Sequence, residues 1–239
     1  MQQILTAIGF LALALAAESA FAVVTEDSIN EAYYRGDADT LEELRTELSN
    51  DNENDALLAG YLDWRLASLY IGMGDEASAE ASLERGQLTL ETLLEDAPKK
   101  AEAWALLSST LGMRIGMHPV TLGFVHGRTA SKAMSTALEI EPVNPRVLLL
   151  DAIGKLNTPS MFGGSREEAL KQLNAALAAF QANGPGRYEW GEADTYVWRG
   201  IARQRSDQPE AALADFNKAL ELKPAFNWAR SLRDSAESR

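Results

Sequence analysis

The chain has 239 residues, of which 46% are hydrophobic and 24% are charged, and its formal net charge at pH 7 is −13. This composition is typical of a globular protein and excludes a disordered or fibrous chain. The chain contains no cysteine, so disulfide bonds, cysteine nucleophiles and a lipid attached to an N-terminal cysteine are excluded as well.

The first 22 residues have the pattern of a secretory signal peptide. An apolar run of about 14 residues, from Ile4 to Ala17, is too short to span a bilayer comfortably. It is followed by Ala20-Phe21-Ala22, a small-x-small cleavage site, although no lysine or arginine precedes the run. We expect cleavage after Ala22 and a periplasmic or secreted mature chain without stable membrane insertion. An uncleaved membrane anchor is the alternative.

Two short helices are predicted in residues 23–54. Ile29 to Tyr34 forms the first helix, and Gly36-Asp37 ends it. Thr40-Leu41-Glu42-Glu43 has the pattern of a capping box, which predicts that a second helix begins there and reaches about Leu48.

Three longer helical hairpins are predicted in residues 55–98, 101–142 and 145–182. Apolar and small residues recur in them at i, i+3, i+4 and i+7, the spacing of one helical face. The first two hairpins end at prolines, and the second helix of the third begins at the capping box Ser165-Arg166-Glu167-Glu168. One such hairpin cannot bury its own apolar face, so neighbouring hairpins are expected to stack.

The clearest pattern lies in residues 193–224, which form a fourth hairpin. Asp207-Gln208-Pro209-Glu210 supplies a carboxylate N-cap and a proline for the start of its second helix. Small, aromatic and proline residues follow one another in a fixed order: Gly200, Ala212, Phe216, Ala219 and Pro224. This order resembles the tetratricopeptide repeat, a unit of about 34 residues.

The resemblance implies an all-α fold, a right-handed superhelix or solenoid of stacked helical hairpins. Residues 23–54 would then be a divergent N-terminal capping half-repeat, and a helix at 227–237 would cap the other end. Proteins of this family generally bind peptides or protein segments in a concave groove lined by the first helix of each repeat. By that analogy the candidate groove residues are Arg65, Trp104, Arg199 and Arg203. Trp104 also fits a core position of the family, and solvated side chains are expected for Arg65 and Arg199.

Two adjacent hairpins each have an insertion between their two helices, relative to the family pattern. The insertions lie within residues 112–128 and 157–164. We expect them to be loops that lie side by side on one edge of the solenoid. Together they would form a candidate surface for a partner or ligand, which consists of Arg114, Met117, His118, Phe124, Met161 and Phe162. In the alternative interpretation, the apolar loops fold back and cap the core.

The charge is divided unevenly along the chain. Residues Thr25 to Asp96 have a net charge of −15, whereas Ala97 to Arg239 have a net charge of +3. The acidic half would repel nucleic acid and anionic lipid headgroups, and it favours a basic partner. Alternatively, the acidity only keeps an exported protein in solution.

No catalytic grouping is apparent. The two histidines, His118 and His126, lack further metal-ligating residues at a suitable spacing, and no nucleophile elbow or phosphate-binding loop is present. We therefore expect no enzyme activity, no cofactor and no metal. The main hypothesis is a periplasmic scaffold that binds a protein or peptide. The alternative is a solute-binding accessory protein, similar to the T component of TRAP-type transporters, with an apolar pocket for a small ligand near the insertions.

Overall fold

The computed structural model describes residues 23–49, 52–184 and 187–238. The predicted signal peptide, residues 1–22, lies outside the described residues. Across those three segments the chain forms eleven α-helices and one 3-10 turn, and no strand. The all-α solenoid predicted from the sequence is confirmed.

The helices follow one another through short connections. In chain order they are α1 Glu26–Arg35, α2 Ala38–Glu47, α3 Glu53–Met73, α4 Glu76–Asp96, α5 Ala101–Met117, α6 Pro119–Ile140, α7 Pro145–Asn157, α8 Arg166–Asn183, α9 Glu192–Gln204, α10 Pro209–Leu222 and α11 Asn227–Glu237, with the 3-10 turn Ser160–Phe162 between α7 and α8.

Four hairpins, α3–α4, α5–α6, α7–α8 and α9–α10, stack in sequence order. Each helix packs most extensively against its hairpin partner, and α4 then packs on α5, α8 on α9 and α10 on α11. The first helices of successive hairpins also contact each other, α3 with α5 and α5 with α7. One apolar core therefore runs from α1 to α11.

Six of the eleven helices in the described residues begin at a short polar side chain that accepts a hydrogen bond from an amide of the first turn, as expected for N-caps. Ser165 accepts a hydrogen bond from the Glu168 amide, which confirms the cap predicted for α8. Two other predicted caps are wrong. The second helix begins at Ala38 with Asp37 as its cap, because the Asp37 carboxylate accepts from the Thr40 amide. Asp207 adopts a left-handed φ of 56° in the turn, and Gln208 precedes α10 without a side-chain cap.

The first insertion is not a loop. Residues 112–128 instead lengthen both helices of their hairpin, so α5 has 17 residues and α6 has 22, with only His118 between them. Pro119 tolerates the first position of α6 because a helix leaves that amide unpaired. The second insertion contains the 3-10 turn and Gly163, whose φ of 94° favours glycine.

Close packing of α9 on α10 depends on a glycine, Gly200, which has no side chain to separate the two helices. A Cβ at Gly200 would lie 2.8 Å from Cδ1 of the buried Phe216 ring, which is closer than side chains approach. Gly154, in the exposed face of α7, has open space around the same position.

We predict that Gly200→Ala lowers the free energy of unfolding by about 1–3 kcal/mol, because the added methyl displaces the Phe216 ring. Gly154→Ala is the matched control and should raise stability by about 0.4–1 kcal/mol through reduced chain entropy in the unfolded state. Urea unfolding followed by circular dichroism measures both values. Equal effects of the two substitutions would contradict this account of the α9–α10 contact.

Candidate binding surface

Arg65, in the middle of α3, forms a buried ion pair with Asp194 at the start of α9. Its Nη1 and Nη2 atoms donate to the two Asp194 carboxylate oxygens at 2.7 Å and 3.1 Å, and its Nε donates to the Tyr61 hydroxyl at 2.7 Å. The Arg65 side chain is 1% exposed and that of Asp194 is 3% exposed. A charged pair this buried must be fully hydrogen-bonded to be tolerated, and a two-point contact with the carboxylate meets that need.

Aromatic rings surround the Arg65 guanidinium. Its Cζ lies 4.0 Å from the ring centroid of Tyr33, and the rings of Tyr61, Trp64 and Trp190 lie at 5.1, 5.0 and 5.4 Å. These distances suit cation–π contacts, which are strongest where water is excluded. Burial alone would lower the pKa of Arg65, but the Asp194 carboxylate reverses that effect and holds the pKa well above its usual value.

The tyrosines of this cluster stay neutral over a wide pH range. Burial raises the pKa of Tyr33 to about 12, although the Arg65 charge opposes the shift. Burial also raises the pKa of Tyr34 well above its ordinary value, and the Asp194 charge adds to the shift. The Tyr34 hydroxyl donates to Asp194 Oδ2 at 2.9 Å, so the neutral phenol is the form that this site needs.

Helix α1 lies across the first helices of the hairpins. Asn30 accepts hydrogen bonds from Tyr61 and Arg65 of α3. Glu26 accepts from Arg146 Nη1 of α7 at 2.8 Å. The Tyr34 hydrogen bond to α9 and the packing of its ring 4.4 Å from that of Phe226, before α11, complete the contact.

This placement corrects the expectation for Arg65. The sequence placed Arg65 in solvent, at the groove that related proteins use for peptides, whereas the structure buries it under α1 and α9. Side chains of α1 contact α3, α7 and α9, on the face where a bound peptide was expected. Arg65 is therefore a structural residue in this chain, and its guanidinium has no exposed donor for a partner.

The other candidate groove residues also make internal contacts. Arg199 donates to both oxygens of the buried Asp215, and its side chain is only 16% exposed, so the expectation of a solvated side chain is wrong for it as well. Arg203 donates to Asp215 Oδ2 at 2.8 Å from the same helix. Trp104 is half-buried against the core, and its Nε1 donates to the Pro98 carbonyl.

Sequence reasoning missed the buried acids that hold these arginines. Asp194 and Asp215 each lie near small or apolar residues on a helical face, and that interruption of an apolar stripe was the available signal. Asp63 is similar, since it is fully buried between Arg45 and Arg85 and burial raises the pKa of its carboxyl. A carboxylate on a buried face needs a cation from another helix, but the sequence does not say which one.

The exposed apolar side chains gather at the turns between the two helices of a hairpin, along what we call the turn edge. Stacking places these turns on one side of a solenoid. Ten large hydrophobic residues of the described chain are strongly exposed, and seven lie in three such turns or in the helix ends beside them, which makes this edge the principal apolar surface. The seven are Ile71, Met73, Val120, Phe124, Val125, Met161 and Phe162.

The remaining predicted surface residues lie near the turn of α5 and α6. Arg114 is largely buried by its contacts with Glu80, Glu84 and Gln87. His118 Nε2 lies 3.9 Å from Glu80, which brings it beside Arg114. Met117 is partly buried. In the described residues, no hydrogen bond or ion pair links this group to Met161 or Phe162.

The described residues contain no group of three or more histidines, cysteines and acids that could hold a metal ion. A cleft of about 220 Å³ opens between α1 and the α10–α11 turn, and it is lined by Asp27, Glu31, Tyr34, Lys223, Pro224 and Ala225. Phe124 and Phe162 are 94% and 74% exposed, and side chains so exposed do not enclose an apolar pocket. None of the helices in the described segments is long and apolar enough to cross a membrane.

Comparison with known proteins supports the repeat architecture. The sequence model of the tetratricopeptide repeat matches residues 193–226. The comparison with curated proteins found no match. Among solved structures, the HusA haemophore from Porphyromonas gingivalis is similar with a TM-score of 0.60 and 19% identity, over 77% of this chain and 95% of that one. A thermophilic TPR protein of Thermus thermophilus is similar with a TM-score of 0.58 and 16% identity, over 88% of this chain and 96% of that one. At these identities the likeness concerns the fold.

We predict that Arg65→Met lowers the free energy of unfolding by about 3–5 kcal/mol, because Asp194 is left buried without its cation. The double variant Arg65→Met/Asp194→Leu should lose much less than the two single variants together. Lys218→Met, which breaks an exposed pair with Glu221, is the control and should leave the free energy of unfolding nearly unchanged. Urea unfolding of the four variants gives the coupling energy, and additive losses at Arg65 and Asp194 would rule out the proposed pairing.

A second prediction concerns alkaline pH. Below pH 10, Tyr33 is neutral in both the folded and the unfolded chain, so its contribution to the free energy of unfolding does not vary with pH. Between pH 10 and about 12 the unfolded chain releases this proton first, so the free energy of unfolding falls as pH rises. Tyr33→Phe should therefore weaken the decline of stability over this range. Unfolding curves at pH 9, 10 and 11, with tyrosinate absorbance near 295 nm, measure it. If the free energy of unfolding of the variant declines as steeply as that of the wild type, the raised pKa of Tyr33 is refuted.

Proposed function

We propose that this chain, whose residues 193–226 match the tetratricopeptide repeat, is a non-catalytic scaffold of the bacterial periplasm that binds a protein or peptide partner. Proteins of this fold commonly bind other proteins. The periplasmic location is proposed from the signal-peptide pattern of residues 1–22 alone.

The observation that carries the proposal is the distribution of exposed apolar side chains. Side chains of α1 contact α3, α7 and α9 on the face that the family uses for peptides, so the proposal places the partner on another surface. The turn edge offers one, with Met161 and Phe162 at 80% and 74% exposure on a short 3-10 turn. Methionine and aromatic side chains are frequent anchors at protein interfaces.

The acidic helices suggest the charge of the partner. The excess of acid in residues 25–96 is carried mostly by exposed side chains on α1 to α4. Such a surface speeds the approach of a basic protein more than it strengthens the final complex. A partner with a basic face and an apolar anchor site would fit both features.

We predict that a photo-reactive benzoylphenylalanine at position 162 crosslinks a specific partner in the soluble periplasmic fraction of cells that express the full chain. The same residue at Leu88, which is 68% exposed on α4, is the matched control. The expected result is an adduct of one mass at position 162 only, identified by mass spectrometry and lost when Met161 is changed to Ser.

Two outcomes would count against the proposal. Equal adducts at both positions, or none at position 162, would remove the turn edge as the docking surface. Intact-mass measurement of the purified chain tests export separately, since the mature protein should begin at Val23. A chain that keeps residues 1–22 would contradict cleavage without touching the docking result.

A further inference from the structure

The tip of the α5–α6 hairpin stands out from its neighbours. Helix α6 has 22 residues, whereas α7, which packs beside it, has only 13 and ends at Asn157. A 13-residue helix can cover little more than half of the length of α6, about 20 Å of 33 Å. The uncovered part carries Val120, Phe124 and Val125, which are 79%, 94% and 63% exposed.

The charges around this tip differ from those of the rest of the chain. Residues 103–138 contain no aspartate or glutamate, in a protein whose net charge is −13. Arg128 and Lys132 follow Phe124 at i+4 and i+8, so all three lie on one exposed face of α6. Neither cation forms an ion pair or hydrogen bond with any residue that the structure describes.

We propose that this tip, residues 115–132, rests on the surface of an anionic lipid bilayer. Phe124 and Val120 enter the boundary of the hydrocarbon region, and Arg128 and Lys132 reach the phosphate layer. Along an α-helix, four residues span about 6 Å and eight span about 12 Å. The headgroup layer on each side of a bilayer is about 5–8 Å thick, so the rise from Phe124 to Arg128 matches the distance between the two layers.

Two acidic side chains of α4 lie at the base of the tip, and a cation holds each of them. Glu80 and Glu84 both form ion pairs with Arg114. His118 lies next to Glu80 and adds no negative charge. Other acids act through salt water, where interactions weaken over about 8 Å.

A lipid surface fits the tip better than a second copy of the chain does. Two copies that met tip to tip would bring Arg128 and Lys132 of each against like charges. A side chain that projects from a helix, as Phe124 does, needs a soft or concave receptor, and a bilayer yields to any projecting apolar group. Basic residues beside an apolar helical face are the combination that draws proteins to anionic lipid.

The test is vesicle flotation of the mature chain with 30% phosphatidylglycerol in phosphatidylcholine, and with phosphatidylcholine alone, at 50 mM and 500 mM NaCl. We expect binding to the anionic vesicles at low salt that weakens at high salt. Phe124→Ser should reduce the vesicle partition coefficient about tenfold or more. Arg128→Glu/Lys132→Glu should reduce it about 20-fold or more. Leu88→Ser, an equally simple loss of an exposed apolar residue on α4, should leave binding unchanged.

A spectroscopic measurement keeps the proposal open to refutation if binding is weak. The chain has no cysteine, so Phe124→Cys and Leu88→Cys can each carry a single environment-sensitive dye. Only the dye at position 124 should shift to the blue when anionic vesicles are added. No flotation and no dye shift, or equal shifts at both positions, would overturn the proposal.

Two further outcomes would also overturn it. If the wild-type chain does not bind vesicles and Phe124→Ser abolishes dimerisation in analytical ultracentrifugation, the occupant of the tip is a second copy. If the tip crosslinks a soluble protein and does not bind vesicles, the occupant is that protein. The partner experiment at position 162 reads out adducts in the soluble periplasmic fraction, so its result does not depend on this one.

Discussion

The buried pair of Arg65 and Asp194 is the interaction on which the rest of the structure depends. It joins the first hairpin to the fourth across 129 positions of sequence, and it fixes α1 above them through Tyr34 and Asn30. Burying two charges is costly, and the cost is met only because hydrogen-bonding partners and a set of aromatic rings surround them. Any shift of α3 relative to α9 would leave one of the charges without a partner. The hairpins are therefore held at a fixed distance from one another, which a stack held by apolar contacts alone would not ensure.

That constraint also accounts for the division of the surface. Because α1 contacts the first helices α3, α7 and α9, the surface proposed for recognition lies elsewhere, at the turns and the outer faces of the second helices. The unequal helix lengths then decide which turns are prominent. The α5–α6 hairpin is long and uncovered, and the α7–α8 hairpin is short with a 3-10 turn. The exposed apolar residues at the tip of α5–α6 and those in the 3-10 turn between α7 and α8 thus have one cause, the insertions between paired helices.

The sequence predicted the fold well because helical periodicity and the repeat pattern are local signals. Apolar spacing located the hairpins, and the motif from Gly200 to Pro224 identified the unit. What it did not predict depends on contacts between distant segments. Arg65 looked solvated because its neighbours in α3 do not reveal that α1 and α9 close over it. Residues 112–128 were expected to be a loop since a glycine-rich insertion suggests one, yet the packing of α5 on α6 carries the helices through Gly116 and Gly123. Phe124 was predicted as a surface residue, but its exposure on an uncovered helix follows from the length of α7, which no local pattern encodes.

The contact of α1 with α11 has a consequence for how the molecule comes apart. Repeat arrays usually unravel one unit at a time, because each unit touches only its neighbours. Here the Asn227 side chain donates to the Arg35 carbonyl at 2.6 Å, and the Tyr34 and Phe226 rings are in contact, so the two ends of the array are tied together. Fraying at either end must first break this tie. The chain is thereby expected to open in a single cooperative step, with amide protons in its terminal helices exchanging as slowly as those at its centre.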